Sequence, residues 1–214
     1  MTDKMETEPE NNSEENSKEE KSFFYSFKIP LERIPVLIGK EGSTKKELEQ
    51  ALKCKLDINS RDGDVEISSD DSVNLYTAKE VIKAIGRGFN PKIALELLKP
   101  DYALEVIELR KAASTSKQMG RMKGRVIGEG GKARRTIEQL TDTSISVYGK
   151  TISIIGEISN VATARKAIES LILGSNHSTV YSWLEKQRKI ARSEELKRQF
   201  RIGEYSSSDD FEKD

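Results

Sequence analysis

The hydrophobic and polar positions along this chain predict one order of elements, and then predict it again. Residues 23–29, Phe-Phe-Tyr-Ser-Phe-Lys-Ile, are aromatic and β-branched with partial alternation, which predicts a strand ended by Pro30. Leu31 to Ile38 is a short apolar stretch containing Pro35, consistent with one or two helical turns. Gly39-Lys40-Glu41-Gly42 breaks it. Ser43 or Thr44 then caps a helix to about Leu52, with Leu48 and Leu52 on one face. Lys55 to Ser60 alternates as a strand, Arg61-Asp62-Gly63-Asp64 turns the chain, and Val65 to Ser68 returns as a second strand. Val73, Thr77, Val81 and Ile85 trace one face of a longer helix ending at Gly86 or Gly88. Residues 91–99 predict one more short helix, and Pro100 marks a boundary.

The same order then returns. Ala103 to Arg110 reads as a strand, with Leu104, Val106, Ile107 and Leu109 apolar. Ser114 or Ser116 caps a helix carrying Met119, Met122, Val126 and Ile127, which Gly128-Glu129-Gly130-Gly131 interrupts. Lys132 to Thr141 is a helix with Ala133, Ile137 and Leu140 on one side. Ser144 to Tyr148 is a strand, Gly149-Lys150 a tight turn, and Thr151 to Ile155 its hairpin partner. Val161, Ala164, Ile168, Leu171 and Ile172 form the stripe of a final helix closed by Gly174. The Ile-Gly-x-x-Gly segments at 38–42 and 127–131 lie 89 residues apart, so the chain is an internal repeat of a mixed α+β unit. Domains are expected at 23–99 and 100–176. A Lys- and Arg-rich helix over Thr179 to Phe200, within a 177–203 appendage, follows the second.

Charge changes this picture. The formal net charge is zero, but residues 1–22 carry eight acids against three lysines, net −5, and residues 204–214 five acids against one lysine, net −4. The body between them is therefore +9, which suits a polyanionic partner. Both tails lack the apolar pattern of a core and read as disordered. As tethered polyanions they are expected to compete weakly with such a partner for the basic body. Deleting both should then raise affinity for it at low salt, and unchanged affinity would sink the idea.

The glycine turns carry the candidate chemistry. A Gly-x-x-Gly between two short helices turns the chain tightly and exposes backbone N–H groups at the start of the second helix, where the dipole favours an anion. The missing Cβ atoms let a phosphate backbone come close. Lys40, Lys45 and Lys46 surround the first turn, and Arg125, Lys132, Arg134 and Arg135 flank the second. Ile38 and Ile127 are expected to line an apolar groove for bases. The predicted RNA-binding set is thus Ile38, Gly39, Lys40, Glu41, Gly42, Lys45, Lys46, Arg125, Ile127, Gly128, Glu129, Gly130, Gly131, Lys132, Arg134 and Arg135. Glu41 and Glu129, inside the turns, oppose phosphate.

These motifs resemble the signature of KH domains, and the helical pair before the hairpin is similar to the type I form, βααββα. The resemblance implies two tandem KH domains, each a three-stranded sheet packed by three helices, whose turns clamp about four nucleotides of single-stranded RNA. Gly124-Arg125-Val126-Ile127-Gly128-Glu129-Gly130-Gly131-Lys132, Ser146-Val147-Tyr148-Gly149-Lys150-Thr151 and Leu173-Gly174-Ser175-Asn176-His177-Ser178-Thr179-Val180-Tyr181 resemble one group within that family. It is the archaeal small-subunit ribosome assembly factors called Dim-two or partner of Nob-one. The match covers roughly residues 23–190. It implies binding near the 3′ end of 16S ribosomal RNA, contact with the endonuclease that trims that end, and the alpha subunit of translation initiation factor two as a partner.

Other classes fit less well. Gly128-Glu129-Gly130-Gly131-Lys132-Ala133 formally matches a dinucleotide pattern, but helix rather than strand precedes it. A phosphate loop would need Gly at 126 and a hydroxyl at 133, where Val and Ala stand. His177, the single histidine, is expected in a connecting loop, and Cys54, the single cysteine, in the core. Neither an enzyme, nor a cofactor, nor a metal site is expected. A protein-interaction scaffold with weak RNA binding is the alternative. Tyr181 and Trp183 are read as anchors of the last helix, and Tyr102 as interdomain packing. Lys186, Arg188, Lys189, Arg192, Lys197 and Arg198 either extend an RNA path or form a solvated face. No apolar run approaches membrane length and no leader is legible, so a cytoplasmic protein is expected.

Overall fold

The computed structural model describes residues 23–113 and 115–208; the predicted tails before residue 23 and after residue 208 lie outside them. The first repeat runs β1 (Phe23–Lys28), α1 (Ile34–Ile38), α2 (Ser43–Leu52), β2 (Lys55–Asn59), β3 (Asp64–Ser69), α3 (Ser72–Gly86) and the short α4 (Pro91–Ala94), continued by a 3-10 turn over Leu95–Leu98. The second runs β4 (Tyr102–Glu108), α5 (Ser116–Ile127), α6 (Lys132–Thr141), β5 (Ser144–Tyr148), β6 (Thr151–Glu157) and α7 (Ile158–Leu173), followed by α8 (His177–Ser208). Each repeat forms a three-stranded antiparallel sheet, in the orders β1-β3-β2 and β4-β6-β5.

The cores follow from the periodicities. Val65 and Ile67 alternate inward on β3, and α3 lays Ala78, Val81, Ile82 and Ile85 over them, all fully buried. In the second domain Ile152 and Ile154 of β6 meet Val161, Ala164, Ala167, Ile168 and Leu171 of α7. Burying a Leu or Ile side chain contributes about 1.5–3 kcal/mol, so these stripes dominate the stability of each domain.

Several elements differ in detail from the sequence reading. Thr115, not Ser114 or Ser116, caps α5, in a reciprocal capping box with Gln118. Ser114 itself lies outside the described residues. The first helix after each glycine turn is capped by the turn's own last glycine, Gly42 or Gly131, and not by Ser43 or Thr44. His177 is the first residue of α8 and not in a loop. Its ring Nε2 lies 2.8 Å from the Arg125 carbonyl oxygen, which fixes it against the end of α5. The backbone of α8 continues to Ser208, into the stretch read as an acidic tail.

The two domains pack against each other. The outward face of the second sheet is largely covered by the first domain, with Ile155 fully buried and Leu104 and Tyr102 half-buried against that domain's core. Ser146 Oγ donates to the Arg87 carbonyl at 2.9 Å, and the Tyr148 hydroxyl donates to Glu32 Oε2 at 2.9 Å. Gly88, at φ +101°, makes this approach possible, since a Cβ there would stand 2.6 Å from Ser146 Oγ. Tyr102 thus takes the interdomain place expected of it. Tyr181, Trp183, Val180 and Leu184 anchor α8 to the second core. No helix among the described residues is long and apolar enough to cross a membrane.

Candidate nucleic-acid interface

The two glycine turns have nearly the same backbone. Gly39 and Gly128 sit at φ/ψ 72/−178° and 70/178°, Glu41 and Gly130 at 53/29° and 53/22°, and Gly42 and Gly131 both at 77/13°. The glycines serve two different ends. A Cβ on Gly39 would stand 2.2 Å from Thr44 Oγ1, and one on Gly128 2.6 Å from Ala133 Cβ, so the first glycine lets the following helix close against the turn. A Cβ on Gly42, Gly130 or Gly131 would meet nothing within 4 Å. The last glycine of each turn therefore faces open space while holding a left-handed φ. Neither helix that follows has a side-chain cap: its first N–H, on Ser43 or Lys132, donates back to the Lys40 or Glu129 carbonyl, and the N–H groups after it have no side-chain partner and face a ligand or water.

Glu41 is the residue that breaks the symmetry, because it takes left-handed φ 53° where the second turn uses Gly130. That conformation costs a non-glycine residue about 1 kcal/mol. Glu41→Gly is therefore expected to stabilise the first domain by about 0.5–1 kcal/mol in thermal or denaturant unfolding. A destabilised variant would show that the Glu41 side chain earns its place by contacts.

The predicted cations divide by what they touch. Lys40, Lys46 and Lys132 are exposed and form no ion pair with a described residue. Lys45 lies 3.9 Å from Glu49, and Arg134 3.6 Å from Glu138, at equivalent positions. Those carboxylates also accept from the edge strands: Leu56 N–H donates to Glu49 at 2.9 Å and Ile145 N–H to Glu138 at 2.8 Å. Each glutamate thus ties the helix after the turn to the outer strand, setting the width of the groove between them. Arg135 folds back to donate to the Gly130 carbonyl at 2.7 Å. Arg125 does not face the turn: its guanidinium donates to the carbonyls of Leu171, at 2.8 Å, and Ser175. Arg33 does the same in the first domain, to Ile85 at 2.8 Å and Phe89 at 2.6 Å. The sequence reading missed Arg33, and the signal available was only a lone arginine before a helix. Ile38 is half-buried against the first core and Ile127 half-buried at the end of α5.

Other candidate chemistry recedes. Cys54 is buried, and burial pushes its thiol pKa up to about 11, away from the thiolate a nucleophile needs. No cluster of His, Cys, Asp and Glu with metal-holding geometry occurs among the described residues.

Two βααββα units, each with a Gly-x-x-Gly turn between its first two helices, define a tandem KH protein. A KH domain model matches residues 25–86, and a model of the eukaryotic type KH-domain, type I, matches residues 103–189. A KH domain-containing protein of Methanocaldococcus jannaschii is 46% identical over 171 residues, covering 78% of this chain and 75% of the relative. The pre-rRNA-processing protein PNO1 of Phaeosphaeria nodorum is 34% identical, over 72% of this chain and 61% of its own length. A chain in the crystal structure of the a/eIF2alpha–aDim2p–rRNA complex from Pyrococcus horikoshii is similar with a TM-score of 0.74 and 42% identity, over 78% of this chain and 95% of that one. The chain belongs to the Dim2/PNO1 family of KH-domain ribosome assembly factors.

Proposed function

We propose that this protein binds single-stranded RNA at its glycine turns and acts in small-subunit assembly, near the 3′ end of 16S ribosomal RNA during its maturation. The observation that carries the reading is the pair of superposable turns, each open at its last glycine and followed by an uncapped helix start. A phosphate there meets backbone donors and, at Lys40 and Lys46 or Lys132, cations without a competing carboxylate partner. Membership in a family whose relatives include a pre-rRNA-processing protein, and one solved with rRNA and a/eIF2alpha, supports the substrate and makes that initiation factor subunit a partner to test. The endonuclease that trims the 3′ end is a further proposed partner, and the cytoplasm the proposed location.

The test is binding of a labelled RNA matching the 3′ end of small-subunit ribosomal RNA against a scrambled RNA and a duplex. Preference for the matching single strand is expected, with log affinity falling against log salt by about 0.7 for each phosphate neutralised. Absence of binding at moderate salt would move the chain to the protein-scaffold reading, which the acids in the turns, Glu41 and Glu129, already favour.

A further inference from the structure

The first domain has a second groove, at the other edge of its sheet. It lies between β1 and α3 and holds about 630 Å³. It is lined by Tyr25, Phe27, Lys28, Lys79, Lys83 and Arg87 together with Ile29, Pro30 and Gly86, and no carboxylate lines it. The Lys79 ammonium stands 4.2 Å from the centre of the Tyr25 ring. Lys79 and Arg87 form no ion pair with a described residue. Lys28 and Lys83 do, with Asp64 at 3.3 Å and Glu80 at 3.2 Å; the first is an exposed pair of the kind worth little, and the second is a partly buried pair within one helix turn. The aromatic surface continues beyond the walls. Phe23, two residues before Tyr25 on the same face of β1, is 42% exposed, and Tyr76, one turn before Lys79 on α3, is 65% exposed.

The repeat supplies an internal control. The Arg33 and Arg125 clamps align Ile85 with Leu171, so Lys79 aligns with Arg165 and Lys83 with Glu169. The strand registers align Tyr25, opposite Ile67, with Glu105, opposite Ile154. In the second domain these positions close on one another: Arg165 pairs with Glu105 at 2.7 Å and with Glu169 at 2.8 Å. The same scaffold thus holds one cation between two carboxylates and is tied shut in one domain, and is cationic, aromatic and open in the other. Packing alone does not require the first arrangement, because the second satisfies the same fold.

We propose that the β1–α3 groove of the first domain is a second binding site for single-stranded RNA, with bases on Tyr25 and the neighbouring rings and phosphates on Lys79, Lys83 and Arg87. Aromatic platforms beside a cationic track are the combination that holds single strands without reading their sequence. The volume suits one or two nucleotides. The site rests on the reading of this chain as an RNA-binding protein, and it gives a strand leaving the first glycine turn a second hold.

The test uses the full chain, a uridine-rich RNA of about fifteen nucleotides, and one of about four. Tyr25→Glu copies the second domain's ion pair onto Lys79, and Lys79→Gln/Lys83→Gln removes two cations. Both are expected to weaken the long RNA about ten-fold and leave the short one bound as before. The lysine pair should also make the salt slope shallower by about 1.4, two phosphates at 0.7 each. Should Tyr25→Glu not fold, the lysine pair decides alone. Wild-type affinity and slope in the groove variants, while Lys40→Asp/Glu41→Asp loses RNA, would overturn the groove and leave the turns standing. Loss in the groove variants with full binding by the turn variants would overturn the turns and leave the groove. A wild-type dimer that Tyr25→Glu converts to monomer with RNA binding unchanged would make the groove a self-association surface and overturn the proposal.

Discussion

A variant carrying Lys40→Asp with Glu41→Asp is expected to bind single-stranded RNA about ten-fold or more weakly through its first domain, with its fold intact. The change reverses the charge of one exposed cation at the apex of the turn and retains the other carboxylate. It leaves Gly39, which packs against Thr44, and Gly42, which holds the left-handed φ, untouched. Asp is among the few residues that tolerate the φ of 53° at position 41, so the backbone need not move. The matching variant of the second turn, Glu129→Asp with Gly130→Asp, adds a carboxylate where nothing stands within 4 Å of the new Cβ and where φ is again 53°. A charge-assisted hydrogen bond lost to phosphate, plus repulsion, is worth about 1.5–3 kcal/mol, or ten-fold and more in affinity. Titration of labelled RNA by anisotropy reads the loss, and circular dichroism reads the fold. The domain whose variant loses more binding carries the tighter site. Two variants that both bind like wild type would remove the turns from the mechanism.

The parts of this fold that local pattern specifies were legible in the sequence. The inward stripe of α7, the hairpin at Gly149-Lys150 and the two Gly-x-x-Gly breaks follow from periodicity and turn chemistry, and the structure has each where expected, whereas the stripe of α3 holds at Val81 and Ile85 but turns to Ala78 and Ile82 and leaves Val73 exposed. What was hidden depends on contacts across the chain. β4 is apolar at Leu104 and Val106 as well as at Ala103 and Ile107, which is the mark of a strand covered on both faces. That signal pointed to a partner for the second sheet, but Ser144, Ser146 and Ser153 on the same face masked how closely the first domain sits there. Arg125 was grouped with the RNA-binding cations because it precedes the turn by three residues. Its direction is set instead by carbonyls 46 and 50 residues away. The caps were misplaced because Ser43 and Thr44 have the right chemistry for an N-cap, while the left-handed pair before them had already fixed where the helix begins.

The largest stability effect is expected at these arginines. A helix ends with carbonyls that lack partners within the helix, and in each domain one guanidinium reaches one carbonyl of the last turn and one just beyond the helix. Arg33 spans Ile85 and Phe89, and Arg125 spans Leu171 and Ser175. The charge also sits at the negative end of the α3 or α7 dipole. Burial lowers the Arg33 pKa from its ordinary value, a desolvation that the carbonyls offset and that Tyr148, 6.0 Å away, partly opposes. Arg33→Ala removes two charge-assisted hydrogen bonds and takes the guanidinium from the Phe89 carbonyl, while the Ile85 carbonyl keeps the Gly88 N–H, so it is expected to cost about 2–3 kcal/mol and to lower the midpoint of unfolding by roughly 10 °C. Arg33→Lys should not restore it, because one ammonium cannot fork to two carbonyls as a planar guanidinium does. Arg125→Ala should destabilise the second domain by a similar amount, while the His177 ring keeps its seat on the backbone carbonyl of residue 125, which the substitution leaves in place. The decisive contrast is RNA binding at a temperature where Arg125→Ala is still folded. A clamp predicts affinity and salt slope close to wild type. If Arg125→Ala instead keeps its stability and loses about 0.7 from the slope, its guanidinium leaves the helix end for a phosphate, and the residue belongs with the turn cations.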